Sequence, residues 1–225
     1  DILDDVKNKL DNGESPEHVF EEVRSDDDLV FVRLLKRWNI LDEGNTFLCE
    51  HWYDYIWNFR EGFAEVYDKN KGHNFINSEG KEISDRWYHS VSNFREGFAA
   101  VEDYNNSFNY INSEGKEICN RWYDRVSFFE DGFARVNDKT KGWNYINSEG
   151  MEICARWYDI AWDFDQDFAL VKDKSKGYIF INRYGKEIGN RWYDSVDYFN
   201  EDFCMVKYKG KVYLLRKDGV LCDYE

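Results

Sequence analysis

EGFAEVYDKNKGHNFINSEGKEISDRWYHSVSNFR, residues 61–95, is followed at once by EGFAAVEDYNNSFNYINSEGKEICNRWYDRVSFFE, residues 96–130, and then by DGFARVNDKTKGWNYINSEGMEICARWYDIAWDFD, residues 131–165. A fourth copy spans 166–200, with Asp167 where Gly62, Gly97 and Gly132 stand. A partial copy (28–60) precedes the first full one, and a shortened copy (201–225) without Trp-Tyr follows the last. Trp52, Trp87, Trp122, Trp157 and Trp192, each followed by tyrosine, are therefore 35 residues apart. A fixed period of this length marks a repeat architecture, in which each unit packs on its neighbours because none can bury its apolar face alone.

Inside a repeat the pattern is that of a β-hairpin. Phe63–Tyr67 and Asn74–Asn77 are short segments rich in aromatic and β-branched residues, and Asp68–Gly72 is a connection of hairpin length. The spacing predicts strands near 63–67 and 73–77, recurring every 35 residues to about 182. Alternation puts Ala64, Val66 and Ile76 on one face and Phe63 and Phe75 on the other. Gly80, Gly115, Gly150 and Gly185 share a column with Asn45, the residue that best replaces glycine at positive φ, so this column reads as a left-handed turn position. Ala64, Ala99, Ala134, Ala169 and Cys204 form a column of small residues suited to a tight contact. A buried Trp removes ~150–250 Å² from water, worth at most ~4–6 kcal/mol before ordering entropy is subtracted. The Trp column and the column of Phe59, Phe94, Phe129, Phe164 and Phe199 thus read as the framework.

The repeats resemble the WG (KWG) repeat family of bacteria. The residues that carry the likeness are Gly132-Phe133-Ala134 with Val136, then Lys141-Gly142-Trp143, then Tyr145-Ile146-Asn147-Ser148-Glu149-Gly150. The likeness extends over roughly residues 28–222 and departs from the family pattern in two respects. The turn Trp is kept only at Trp143, with His73, Phe108 and Tyr178 in its place elsewhere, and Trp-Tyr-Asp stands where the family often has a proline-containing Tyr-Asp. The resemblance implies a β-rich binding or scaffold role and no enzymatic activity.

The N-terminus differs in kind. Ile2, Leu3, Val6 and Leu10 lie on one helical stripe, and Ser15-Pro16 opens a second helix with Val19, Phe20 and Val23 as its apolar side. Two helices this short need packing to persist, so residues 1–27 read as a helical cap on a repeat domain of residues 28–225. Leu29–Lys36 suits strand and helix equally. The expected fold is an all-β repeat protein: stacked hairpins of 35-residue period, an open solenoid in preference to a closed ring, with a short N-terminal helical cap.

Composition narrows the function. A net charge of −15 disfavours nucleic acid and anionic membranes as partners, because phosphate contacts need clustered Lys and Arg. Cys49, Cys119 and Cys154 fall on one column, where stacked repeats hold them ~10 Å apart, beyond disulfide reach. With Cys204 and Cys222 they read as reduced structural thiols, which points to the cytoplasm. No signal peptide or membrane-spanning run is visible, although a chain beginning at Asp1 leaves a removed leader, and with it a virion or secreted setting, open.

No cofactor, metal or catalytic residue is expected. Asp68-Lys-Asn-Lys-Gly72 and its copies at Asp138 and Asp173 open like calcium loops but lack the later acidic ligands. Asp54, Asp124, Asp159 and Asp194, with His89 in the same column, read as turn or backbone caps. Glu82, Glu117, Glu152 and Glu187, with the arginines four residues on, read as weak surface ladders. Positions that break the repeat are the better candidates. Trp57 and Trp162 share a column with Ser92, Ser127 and Asp197, while Phe128 and Tyr198 share one with Asn58, Asn93 and Asp163. Aromatics in columns that accept Ser, Asn and Asp read as exposed contact residues. The expected function is a non-catalytic protein-interaction or scaffold module. The alternatives are a carbohydrate- or cell-wall-binding protein stacking sugars on Trp57, Trp162 and the His73/Phe108/Trp143/Tyr178 column, or a structural part of a phage or toxin assembly.

Overall fold

The computed structural model describes residues 2–165, 167–189, 191–197 and 203–224. It opens with α1 (Ile2–Asp11) and the one-turn α2 (Pro16–Val19), followed by β1 (Glu22–Asp26), β2 (Leu29–Leu34) and β3 (Arg37–Leu41). Each later repeat adds a two-residue strand and a hairpin. In order these are β4 (Tyr55–Ile56), β5 (Phe63–Asp68) and β6 (Gly72–Asn77), then β7 (Ser90–Val91), β8 (Phe98–Glu102) and β9 (Phe108–Asn112). Next come β10 (Arg125–Val126), β11 (Phe133–Asp138) and β12 (Gly142–Asn147), then β13 (Ile160–Ala161), β14 (Phe168–Asp173) and β15 (Gly177–Asn182). The chain ends with β16 (Ser195–Val196), β17 (Phe203–Tyr208), β18 (Lys211–Arg216) and β19 (Leu221–Asp223). Strand order within every sheet follows chain order, three strands to a sheet except for β16–β19. This is an all-β repeat fold of small antiparallel sheets with short N-terminal helices.

Two compact units divide the chain: Asp1–Asn106 with Ile111–Glu117, and Ser107–Tyr110 with Ile118–Glu225. In the first unit, α1 packs Val6 and Leu10 against Phe20, Val32 and Leu41. A second cluster there joins Phe31, Trp38, Tyr53, Ile56, Ala64, Val66 and Ile76. The second unit repeats this plan with Tyr145, Tyr158, Ala161, Ala169, Val171 and Ile181. Phe180, Ile188, Tyr193, Cys204, Val206 and Leu215 form its last cluster. As alternation demands, Ala64 pairs with Ile76 on one face, while Phe63 and Phe75 on the other both meet Phe94, 4.2 and 4.9 Å away between ring centres.

Turn chemistry sets the register. Arg60 and Phe63 exchange both backbone hydrogen bonds around Glu61 and Gly62, whose φ angles are 49° and 83°. Two consecutive positive φ values define a type I′ turn, which matches the strand twist and which glycine favours. At the far end, the Asn77 side chain accepts the N–H groups of Glu79 and Lys81. This leads to Gly80 at φ 75°, and Asn45 occupies the same column at φ 58°, as the sequence predicts.

Three expectations change. The helix opened by Ser15-Pro16 stops at Val19; Val23 lies in β1 and pairs with Val32, because Glu21 already donates to the Arg33 carbonyl. A short strand after each Trp-Tyr-Asp completes the next sheet, as when Tyr55 and Ile56 pair with Tyr67 and Val66. Two residues were too few to carry a period. Within the Trp-Tyr pair, the tyrosine is the core residue: Tyr53, Tyr88, Tyr123, Tyr158 and Tyr193 are buried, whereas Trp52, Trp87, Trp122, Trp157 and Trp192 are half-buried. The pair runs beside the preceding hairpin, Tyr88 exchanging both backbone hydrogen bonds with His73. Alternate side chains then face opposite ways, and only one of the two points into the core.

Candidate interaction surface

The repeating polar columns are occupied within the fold. Asp54, Asp124 and Asp159 accept the backbone N–H groups of Lys69, Lys139 and Lys174 at 2.7–2.9 Å, so each caps a hairpin turn, as the sequence predicts. Asp68 accepts the Asn70 N–H and pairs with Arg37 at 2.6 Å; Asp138 and Asp173 make the matching contacts with Thr140 and Arg121, and with Ser175 and Arg156. The oxygens of these calcium-like loops thus serve the turn and an arginine. The Thr140 hydroxyl first, then Arg121, holds the Asp138 carboxyl well below the usual carboxylate range.

The glutamate column does more than the surface ladder predicted from sequence. Tyr53, Tyr123 and Tyr158 donate their hydroxyls to Glu82, Glu152 and Glu187 at 3.0–3.4 Å. Burial pushes these phenols up, so they remain donors. An inward column missed by the sequence reading is Asn39, Asn74, Asn109 and Asn144, all fully buried. Each donates its amide to the carbonyl ten residues on, as Asn144 does to Cys154 at 3.1 Å, and its oxygen accepts the next N–H in the chain. The signal was present, an asparagine inside a β pattern at a fixed place in four successive copies, with Ile179 in the next. Cys49, Cys119, Cys154 and Cys204 are buried and form no disulfide, and burial pushes Cys49 and Cys154 up to about 12.

The candidates that break the repeat lie elsewhere. Trp57 is 38% exposed and Phe128 55% exposed; Trp162 is half-buried, and Tyr198 lies outside the described residues. In the Trp57 column the serines have a task in the fold, since Ser92 and Ser127 accept the N–H groups of Ala100 and Arg135, both at 2.9 Å. A tryptophan offers no such acceptor. Trp57 instead lies 6.0 Å from the His73 ring at 32°, and Trp162 lies 6.2 Å from Tyr178 at 35°. The same arrangement thus appears in each unit. The segment around each Trp is held by an arginine: Arg24 donates to the Ile56 carbonyl and Asn58, and Arg135 to the Ala161 carbonyl and Asp163. Tyr55, 39% exposed and 4.5 Å from Trp57, extends the first surface and was missed. Its column (Ser90, Arg125, Ile160, Ser195) varies as freely as that of Trp57. In the His73/Phe108/Trp143/Tyr178 column all four residues are half-buried.

The family described as WG containing repeat matches this chain three times, over residues 50–71, 75–106 and 110–141. Residues 50–141 thus carry three WG-type repeats. Among curated proteins none matches it. Three solved structures are similar at low TM-scores. The computationally designed Ika8 protein has TM-score 0.36 and 10% identity, covering 88% of this chain and 71% of its own. BamB from Moraxella catarrhalis has 0.33 and 10%, covering 90% and 75%. The WD40 β-propeller domain of Doa1 has 0.31 and 9%, covering 87% and 78%. The fold rests on this chain's own sheets. No helix among the described residues is long and apolar enough to cross a membrane.

Proposed function

We propose that this chain is a non-catalytic protein-interaction module whose contact energy lies in Tyr55 with Trp57, in Trp162, and in Phe128. One observation carries the reading: the Trp57 column gives up a serine that caps the backbone at Ser92 and Ser127, and presents an aromatic ring instead. A residue that the fold does not need, large, rigid and part-exposed, is the usual form of an interface anchor. The titratable columns support the absence of catalysis, because Asp54, Asp138, Glu152 and their counterparts serve turns, arginines and tyrosines. The net charge of −15 favours a basic partner and speeds its encounter.

The test is affinity capture from the native host with mass spectrometry, run beside a glycan array. A protein retained by the wild-type chain, and released from a Trp57→Ser/Trp162→Ser variant that stays folded, supports the reading. Binding to glycans alone would replace it with the carbohydrate alternative.

A further inference from the structure

Three tryptophans of the Trp-Tyr pairs, Trp87, Trp157 and Trp192, are covered by a lysine from the hairpin turn of their own repeat. Lys71 stands 4.9 Å over the Trp87 ring, Lys141 5.4 Å over Trp157, and Lys176 5.4 Å over Trp192. At Trp157 and Trp192 an arginine joins the lysine, Arg121 at 5.5 Å and Arg156 at 5.1 Å. An ammonium on an aliphatic stem over an indole face is a favourable pairing, worth more as it is desolvated.

At Trp122 the lysine column holds Asn106, and Trp52 differs in the turn itself. The turn before it, Leu35-Lys36, has two residues rather than the three of Lys69–Lys71, and among the described residues no cation stands over the Trp52 ring. A groove of about 490 Å³ opens there instead, lined by Ile2, Leu3, Leu34, Leu35, Arg37 and Trp52. Leu35 is 64% exposed at φ 51°, a left-handed position where Asn or Gly would be ordinary and a bulky residue is an outlier. The Glu21 carboxylate holds that turn by accepting the Leu35 and Lys36 N–H groups. The fold gains nothing from leucine at such a site. Its value lies in the apolar wall that it offers the groove.

We propose that this groove is a docking site for a basic segment of another protein, which seats an aliphatic side chain among Leu3, Leu34 and Leu35 and lays a lysine over Trp52. Two observations identify the occupant. The molecule itself places a lysine on the equivalent ring in both units, and its net charge of −15 attracts a basic chain. Arg37 does not oppose it: its guanidinium is neutralised by Asp68 at 2.6 Å and Asp54 at 3.8 Å, and arginine beside lysine is the arrangement already present at Trp157. This site shares no residue with the Trp57 and Trp162 surfaces and does not rest on their reading.

The probe is the peptide acetyl-Gly-Leu-Lys-Leu-Gly-amide, titrated into the full chain while the Trp52 indole N–H is followed by NMR and assigned with Trp52→Phe. The expected result is a saturable shift at Trp52, weakened about five-fold or more when norleucine replaces the lysine, since the lost cation contact is ~1 kcal/mol. Leu35→Asn, which suits its φ, is expected to abolish the shift while keeping the melting midpoint. No shift at millimolar peptide, equal affinity for the norleucine peptide, or a shift unaffected by Leu35→Asn would overturn the proposal. Concentration-dependent self-association that Leu35→Asn removes would also overturn it, by making a second copy the occupant.

Discussion

A Cβ placed on Gly115 would stand 1.9 Å from the carbonyl oxygen of Ile83, in the preceding repeat. The turn of one repeat thus rests on the backbone of the one before, at a distance that only glycine permits. The contact recurs as Gly80 on Leu48 within the first unit, and as Gly150 on Ile118 and Gly185 on Ile153 within the second.

Gly97 supplies the control. Its φ is 80° against 72° at Gly115, yet nothing lies within 4 Å of its missing Cβ. Gly97→Ala is expected to cost about 1–2 kcal/mol, the strain of a left-handed alanine. Gly115→Ala is expected to cost about 1–3 kcal/mol more, because the backbone must also move. Urea melts of the two variants check the difference.

The Trp-Tyr pair gives a second comparison. Tyr158 is buried and donates to Glu187, while Trp157 is half-buried with Arg121 and Lys141 over its ring. Tyr158→Ala is expected to lose about 3–5 kcal/mol and Trp157→Ala about half as much. Denaturant midpoints in the reverse order would return the tryptophan to the core.

Asn144 is fully buried, bonded to the Cys154 carbonyl at 3.1 Å and to its N–H at 3.2 Å. Asn144→Leu strands both groups, at about 1–3 kcal/mol each. Melting together with amide exchange at Cys154 checks it, and full protection in the variant would argue against the role.

Acid tests the turn carboxylates. The Thr140 hydroxyl and then Arg121 depress Asp138, and the Ser175 hydroxyl chiefly depresses Asp173, to about 2. An unfolded aspartate titrates near ~3.9. A depressed folded value gives stability that is present above about pH 4 and lost as pH falls toward about 2. In denaturant melts across that window, the Asp138→Asn/Asp173→Asn variant is expected to show a shallower pH slope than wild type.

Much of this was legible in the sequence, since repetition multiplies weak signals. Asn45 in a glycine column foretold a positive φ, and alternation assigned Ala64 and Phe63 to opposite faces. What escaped had no period of its own or answered to tertiary packing. The Glu22–Asp26 strand forms because Leu29–Leu34 offers it an edge, against a local pattern that suits a helix. Which member of the Trp-Tyr pair faces inward depends on how its segment lies beside the preceding hairpin, as Tyr88 lies against His73. The candidate surface was legible only as an exception: Trp57 is visible against Ser92 and Ser127, whereas the reason, a hydroxyl that caps a backbone amide eight residues on, arises only in the folded chain.

Trp57→Ser and Trp162→Ser test the central claim most directly, because serine is the residue that the same column uses at Ser92 and Ser127. The measurement is affinity of the double variant for the partner recovered by capture, with urea melts of the same samples. The expected result is unchanged stability, or a gain of up to about 1 kcal/mol per restored hydrogen bond, with affinity reduced at least ten-fold, about 1.4 kcal/mol. Retained affinity together with a marked loss of stability would contradict the account and make both tryptophans part of the framework.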